Sequence, residues 1–115
     1  MDIFIPLNPP GINQTYGYGQ GRVYMTDVAR SWSEGAAFIV GSEAGMQNWE
    51  DIFDYYQIFI KFNNWNLDVD APIKLVIDTV TRKLGFDDKR ILRQCSEKIN
   101  SGEKGVWVTL ENYEE

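Results

Sequence analysis

Apolar and polar positions along this chain fall into stretches of two periodicities. Residues 2–7, DIFIPL, read as a first strand, stopped by Pro9-Pro10 because proline gives no N–H to a ladder. Residues 11–25 hold four glycines, three tyrosines and Asn13, the composition of a long loop or irregular hairpin. Thr26 or Asp27 can N-cap a helix running to about Ser42, with a partial apolar stripe from Val28, Trp32, Ala36 or Phe38, Ile39 and Val40. Residues 55–62, YYQIFIKF, alternate and are rich in β-formers, which predicts a strand. Asp70 can N-cap a second helix, with Pro72 in its first turn. Ile73, Val76, Ile77, Val80 and Leu84 form its apolar face, and Gly85 is a natural stop. Strands are predicted over about 90–98 and 106–110, with Ser101-Gly102 in the turn between them. The order β-α-β-α-β-β implies an α+β fold, a mixed sheet carrying two helices in a single domain over 1–115.

Composition narrows the chemistry. No apolar run approaches the roughly 20 residues of a membrane helix, and the opening MDIFIPLNPP lacks the basic leader of a signal peptide, so a cytoplasmic protein with no membrane partner is expected. The chain has one cysteine, Cys95, expected as a small strand hydrophobe, and no histidine. Those counts remove an internal disulfide, a cysteine-rich zinc site, the Ser-His-Asp triad and histidine-based metal sites. Carboxylates, lysine and hydroxyls remain, and carboxylates suit magnesium or manganese. Net charge is −6, unevenly placed. Residues 1–60 carry two basic and seven acidic side chains, whereas 61–104 carry nine basic and seven acidic. A phosphate-binding surface, if present, therefore lies in the middle segment, among its acids.

Those acids are patterned. Asp68 and Asp70 are two residues apart in extended chain, so both carboxylates point the same way, roughly 7 Å apart at the backbone. On a helical wheel Asp70, Lys74 and Asp78 share one edge beside the apolar face, and Asp87-Asp88 follow the Gly85 stop. Each feature has a plainer reading: Asp70 as a cap, Lys74 as a solvated helix residue, Asp87-Asp88 as a turn. Together they suit one or two divalent cations acting on a phosphoryl group, with a lysine to stabilise developing charge. An EF-hand fits poorly, because Ile73 stands where its loop needs glycine and Thr79 where it needs glutamate. Tyr16, Tyr18 and Tyr24 either stack on bases or pack a loop. Trp32, Trp49, Trp65 and Trp107 are expected in the core or a dimer interface.

The stretch LDVDAPIKLVIDTVTRKLGFDDKRI resembles the core motif of the RusA family of Holliday junction resolvases: Asp-x-Asp, a lysine four residues on, an aspartate four further, then a helix ending in an Asp-Asp pair. Asp68, Asp70, Lys74, Asp78, Asp87 and Asp88 fall on motif positions, and PLNPPGINQTYGYGQGRVYMT resembles the family's opening. The resemblance, over about residues 3–92, implies a RusA-like fold and a metal-dependent endodeoxyribonuclease that nicks four-way junction DNA symmetrically, as a homodimer. It implies Mg²⁺ or Mn²⁺ held by Asp68, Asp70 and Asp88, a catalytic Lys74, and Asp78 and Asp87 orienting the ligands. DNA contacts are expected from Asn13, Tyr16, Arg22, Arg82, Lys83, Lys89 and Arg90. Many family members are encoded by phages or prophages, which places the protein in a bacterial or phage-infected cell. Two departures stand out. Ala71 replaces the family's usual Asn, and Arg22 is the only basic residue between Asn13 and Thr26. They give weight to an alternative, a weakened relative that binds branched DNA or a protein partner.

Overall fold

A computed structural model of the chain describes residues 1–11, 16–19, 21–64 and 70–114. Among them the elements in chain order are β1 (Asp2–Ile5), β2 (Tyr16–Gly19), β3 (Arg22–Met25), α1 (Asp27–Met46), β4 (Tyr56–Asn63), α2 (Asp70–Leu84), a short 3₁₀ turn (Asp88–Arg90), β5 (Ile91–Ile99) and β6 (Gly105–Asn112). β1, β6, β4 and β5 form one mixed sheet in that order, while β2 and β3 pair as a separate antiparallel hairpin. The architecture is α+β, two helices on a four-stranded sheet.

Strand alternation decides which face is dry. Ile3 and Ile5 of β1 lie level with Val108 and Val106 of β6, and Ile58, Ile60 and Phe62 of β4 level with Leu110, Val108 and Val106. All are buried and all project to one face, as a period of two requires. Both helices cover that face. α1 buries Ala29, Trp32, Ala36 and Val40; α2 buries Leu75, Val76 and Val80. The predicted α2 face is widened toward α1, because the helices also pack on each other. Thr79 is buried there, with Ser33 Oγ 2.9 Å from Thr79 Oγ1, whereas Thr81 is buried on the other flank of α2, beside Phe86. Each buried threonine hydroxyl donates to the carbonyl four residues back, Leu75 or Ile77, so neither is left unsatisfied.

Local signals fix most boundaries. Thr26 caps α1, its side chain accepting from the Ala29 N–H at 3.2 Å. The helix continues past Ser42 to Met46, where the Gln47 amide donates back to the Asp2 carbonyl at 2.9 Å and Asn48 turns left-handed. α2 includes Asp70 as its first residue rather than starting after it. At the other end Gly85 takes φ +84, and the Thr81 carbonyl accepts from both the Gly85 and Phe86 N–H groups. Within the 11–25 stretch the described residues 16–19 and 22–25 take the hairpin alternative, with Gly21 at φ +75 between them. Cys95 is exposed on β5 rather than packed as a hydrophobe, because β5 is an edge strand and Cys95, level with Phe59, lies on the sheet face away from the buried Ile58 and Ile60. Trp32 and Trp49 join the core, whereas Trp107 is 42% exposed against Phe4 on the open face. Trp65 lies outside the described residues.

Candidate functional site

The parallel pair β4 and β5 is joined by α2, so the helix must run back antiparallel to both strands. That topology places the described residues of the acidic motif. Asp70 opens α2 at the C-terminal ends of β4 and β5. Lys74, one turn on, is exposed, and Asp78, a further turn on, is half-buried. The Gly85 stop then returns the chain at the N-terminal end of β5. There Asp78, Thr81 and Arg82 of α2 face Phe86, Asp87 and Asp88 across an open cleft of about 280 Å³.

The Asp87-Asp88 turn is rigidly built. Asp87 caps the 3₁₀ turn by accepting from the Lys89 N–H at 2.9 Å. That hydrogen bond, and then the Asp88 side chain beside it, hold the Asp87 carboxyl below the usual range, so it is ionised at neutral pH. Phe86 is buried and stacks on Tyr56, with ring centroids 4.8 Å apart, and on Trp49 at 6.2 Å. Arg90 closes the cluster. Its guanidinium grips Asp51 through two hydrogen bonds of 2.8 and 2.7 Å, donates to the Asp54 carbonyl at 3.1 Å and to the Phe53 carbonyl, and lies over the Tyr56 and Phe86 rings. Four of its five N–H donors are engaged inside the chain, so Arg90, expected to contact DNA, is a clamp on the turn that carries Asp87 and Asp88.

Asp51 was invisible to pattern reading, which follows spacing along the chain and not a partner 39 residues away. Hydrogen bonds from Arg90 and then Tyr56 lower its carboxyl from 3.8 to about 2. Burial, and then the bond to Asp51, raise the Tyr56 phenol above its ordinary value. Asp51 binds protons more weakly folded than unfolded, so its stabilisation is complete above about pH 4 and is lost as pH falls through about 2. Asp51→Ala should lower unfolding stability by about 1 kcal/mol at pH 7 after solvent screening. Urea titrations of the two proteins should converge as pH approaches 2. A difference that persists undiminished at that pH would show that Asp51 acts by some other route.

The other expected contacts divide by location. Arg82 lines the cleft and Lys89 is exposed in the 3₁₀ turn. The Lys83 stem lies over α1, where a Cβ on Gly41 would stand 2.5 Å from Lys83 Cε. Asp68 and Asn13 lie outside the described residues, as do the side chains of Asp70, Ala71, Tyr16, Tyr18, Tyr24 and Arg22. Among the described residues no three carboxylates are grouped closely enough to hold a metal. α2 itself keeps the expected ligands apart: 15 residues at 1.5 Å each put roughly 20 Å between Asp70 and the Asp87-Asp88 end. Magnesium ligands must all lie about 2.1 Å from the ion. Asp70 and Asp88 can therefore share a cation only if they come from two copies of the chain. No helix among the described residues is long and apolar enough to cross a membrane. Neither a protein-family model nor a curated protein matches this chain.

Proposed function

We propose that the protein is a Mg²⁺- or Mn²⁺-dependent endodeoxyribonuclease with a RusA-like fold. It would resolve four-way junction DNA by paired symmetric nicks, in recombination, repair or phage DNA processing, as a homodimer within the bacterial or phage-infected cell. The observation that carries the reading is the placement of the acidic motif. Asp70, Lys74 and Asp78 follow one rim of α2, and a clamped turn presents Asp87 and Asp88 with Arg82 at the end of that rim. The donor set is all carboxylate oxygen, which fits a hard divalent cation.

Asp68, Asp70 and Asp88 would hold the ion. When bound, it supplies Lewis acidity at a phosphoryl oxygen and a water of lowered pKa. The chain's own residues do the rest. Lys74, exposed between the acids, meets the charge that gathers on the reacting phosphate. Asp87, whose carboxylate is tied to the Lys89 N–H, holds the turn so that Asp88 keeps its place in the cleft wall. Arg82 and Lys89 hold backbone phosphates beyond the scissile one.

A synthetic four-way junction, incubated with and without Mg²⁺ beside a linear duplex of equal length, tests the reading. Paired nicks near the branch point are expected, abolished by excess EDTA. Lys74→Ala should slow single-turnover cutting by about 10²-fold or more while leaving binding nearly unchanged, because one lysine is a small part of the phosphate footprint. Cutting in excess EDTA, or no junction binding at low salt with metal present, would discard the nuclease. The second reading, a weakened relative that binds branched DNA or a protein partner, is favoured by Ala71 and by the net charge of −6. It predicts junction binding with no metal-dependent nicks.

A further inference from the structure

Asn63, the last residue of β4, is only 8% exposed, yet among the described residues its side-chain amide neither donates to nor accepts from any group of the chain. A buried amide left unpaired costs stability, so it calls for a partner from outside the chain. Strand alternation sets where that partner comes from. Ile58, Ile60 and Phe62 project toward the helices, so Lys61 and Asn63 project from the opposite, open face. There Lys61 is level with Trp107 of β6, and Asn63 with Ile99 of β5. Together with Ser101 and Gly102 of the following turn they line a pocket of about 320 Å³, a volume in the roughly 300–1,000 Å³ range of small-molecule sites.

The pocket is held in shape by its neighbours. Asn64 ties the turn to the strand end: its N–H donates to the Ile99 carbonyl at 2.6 Å and its side-chain amide to the Gly102 carbonyl at 3.2 Å. Gly102, at φ +86, keeps the Asn63 amide open, because a Cβ there would stand 3.4 Å from Asn63 Nδ2. The Trp107 ring is partly exposed and is buttressed by Phe4, with ring centroids 5.0 Å apart. The Lys61 ammonium lies 3.6 Å from Glu97, but both side chains are more than half exposed, and such a pair is weak enough to be exchanged for a ligand's anion.

Each wall asks one property of a ligand. The Trp107 ring asks for a flat face. The Asn63 amide asks for a donor beside an acceptor along the edge of that plane, and Lys61 asks for an anion. A sugar phosphate lacks the plane, and an aromatic side chain lacks the paired edge. A nucleotide has all three in its base face, base edge and phosphate. We propose that the pocket holds one unpaired nucleotide, with its base stacked on Trp107 and edge-bonded to Asn63, its sugar beside Ser101 and its phosphate on Lys61. The nucleotide is either free or part of a strand; that it belongs to unpaired DNA near a branch point rests on the nuclease reading. The pocket itself lies on the sheet face away from α2 and its acids, so it stands without that reading.

Binding is measured on the full chain in EDTA, where no cutting intervenes, by quenching of tryptophan fluorescence. The probes are deoxyadenosine 5′-monophosphate, a single-stranded oligodeoxyadenylate and an abasic strand of the same length. The two probes that carry a base should quench and the abasic strand should not; whichever of the two binds more tightly names the source. With one phosphate on Lys61 and Glu97 beside it, about a threefold rise in salt should cost only about twofold in affinity. Trp107→Leu keeps an apolar contact with Phe4 but removes the stacking face, so it should weaken binding at least about fivefold and abolish the quench. Asn63→Leu should weaken binding at least about tenfold and yet raise the thermal midpoint, because it removes an unpaired buried amide at nearly constant volume. No quenching up to millimolar concentration, an abasic strand that binds as well as the oligodeoxyadenylate, or an Asn63→Leu protein with a lowered midpoint and unchanged binding would each overturn the pocket. A chain that binds the nucleotide and never cuts a junction keeps the pocket and loses the nuclease; a chain that cuts and binds no nucleotide loses the pocket alone.

Discussion

Asp70→Asn should leave junction binding in Ca²⁺ within a few-fold of wild type and slow single-turnover cleavage in Mg²⁺ by about 10²-fold or more. The substitution changes one oxygen to an amide nitrogen and removes a negative charge while keeping the shape. Any loss therefore reports on charge at a ligand and not on packing. Asp70 opens a helix, where a carboxylate is also favoured by the helix dipole and by exposed N–H groups. That bland role predicts a different result: a stability loss of about 0.5–1 kcal/mol with no change in rate once the protein is folded. Comparing thermal midpoints with rates separates the two. Full activity in Asp70→Asn would remove Asp70 from the site and, with it, the strongest reason to read Asp-x-Asp as a metal motif. Asp78→Asn is the internal control. Asp78 lies two turns along the same rim at the cleft, and as a positioning residue it should cost less than Asp70.

Much of this frame was legible because it depends on short-range signals. The Thr26 cap, the Gly85 stop, the alternation of β4 and the α2 stripe each sit within a few residues of the feature they specify. What escaped depends on distant partners. α1 runs a turn beyond Ser42 because Gln47 finds the Asp2 carbonyl, 45 residues away. Arg90 looked like one more base in a basic segment, and only the arrival of Asp51 and the Tyr56 ring makes it a clamp. Cys95 looked buried because strands in small domains usually are, but its strand takes the sheet edge. The site was legible in its parts and not in its closure. Spacing placed Asp70, Lys74 and Asp78 on one rim and Asp87-Asp88 in a reversal. The length of α2 was also in the sequence; its consequence, that the two acidic ends lie a helix apart, needed β4 and β5 to be parallel neighbours.

Gly105→Ala should be strongly damaging, lowering unfolding stability by about 3 kcal/mol, from backbone strain and overpacking together. Gly105 opens β6 with φ +147, a region that L side chains rarely adopt. The space is also closed. A Cβ there would collide with the Ile5 carbonyl oxygen and would meet the Phe4 ring at 2.8 Å. Phe4 could turn aside, but the carbonyl belongs to the backbone of β1, held in register by Ile5 opposite Val106. Relief requires the β1–β6 ladder to open, and that ladder carries Ile3, Ile5, Val106 and Val108 into the core. Gly85→Ala makes the informative comparison. Its φ is +84, but nothing lies within 4 Å of a Cβ there, so only the strain of the left-handed conformation remains, about 1 kcal/mol. Urea unfolding of the two variants should therefore rank them with Gly105→Ala clearly the worse. Equal losses would mean that the β1–β6 junction yields easily, and that the edge opposite β5 is the soft side of the sheet.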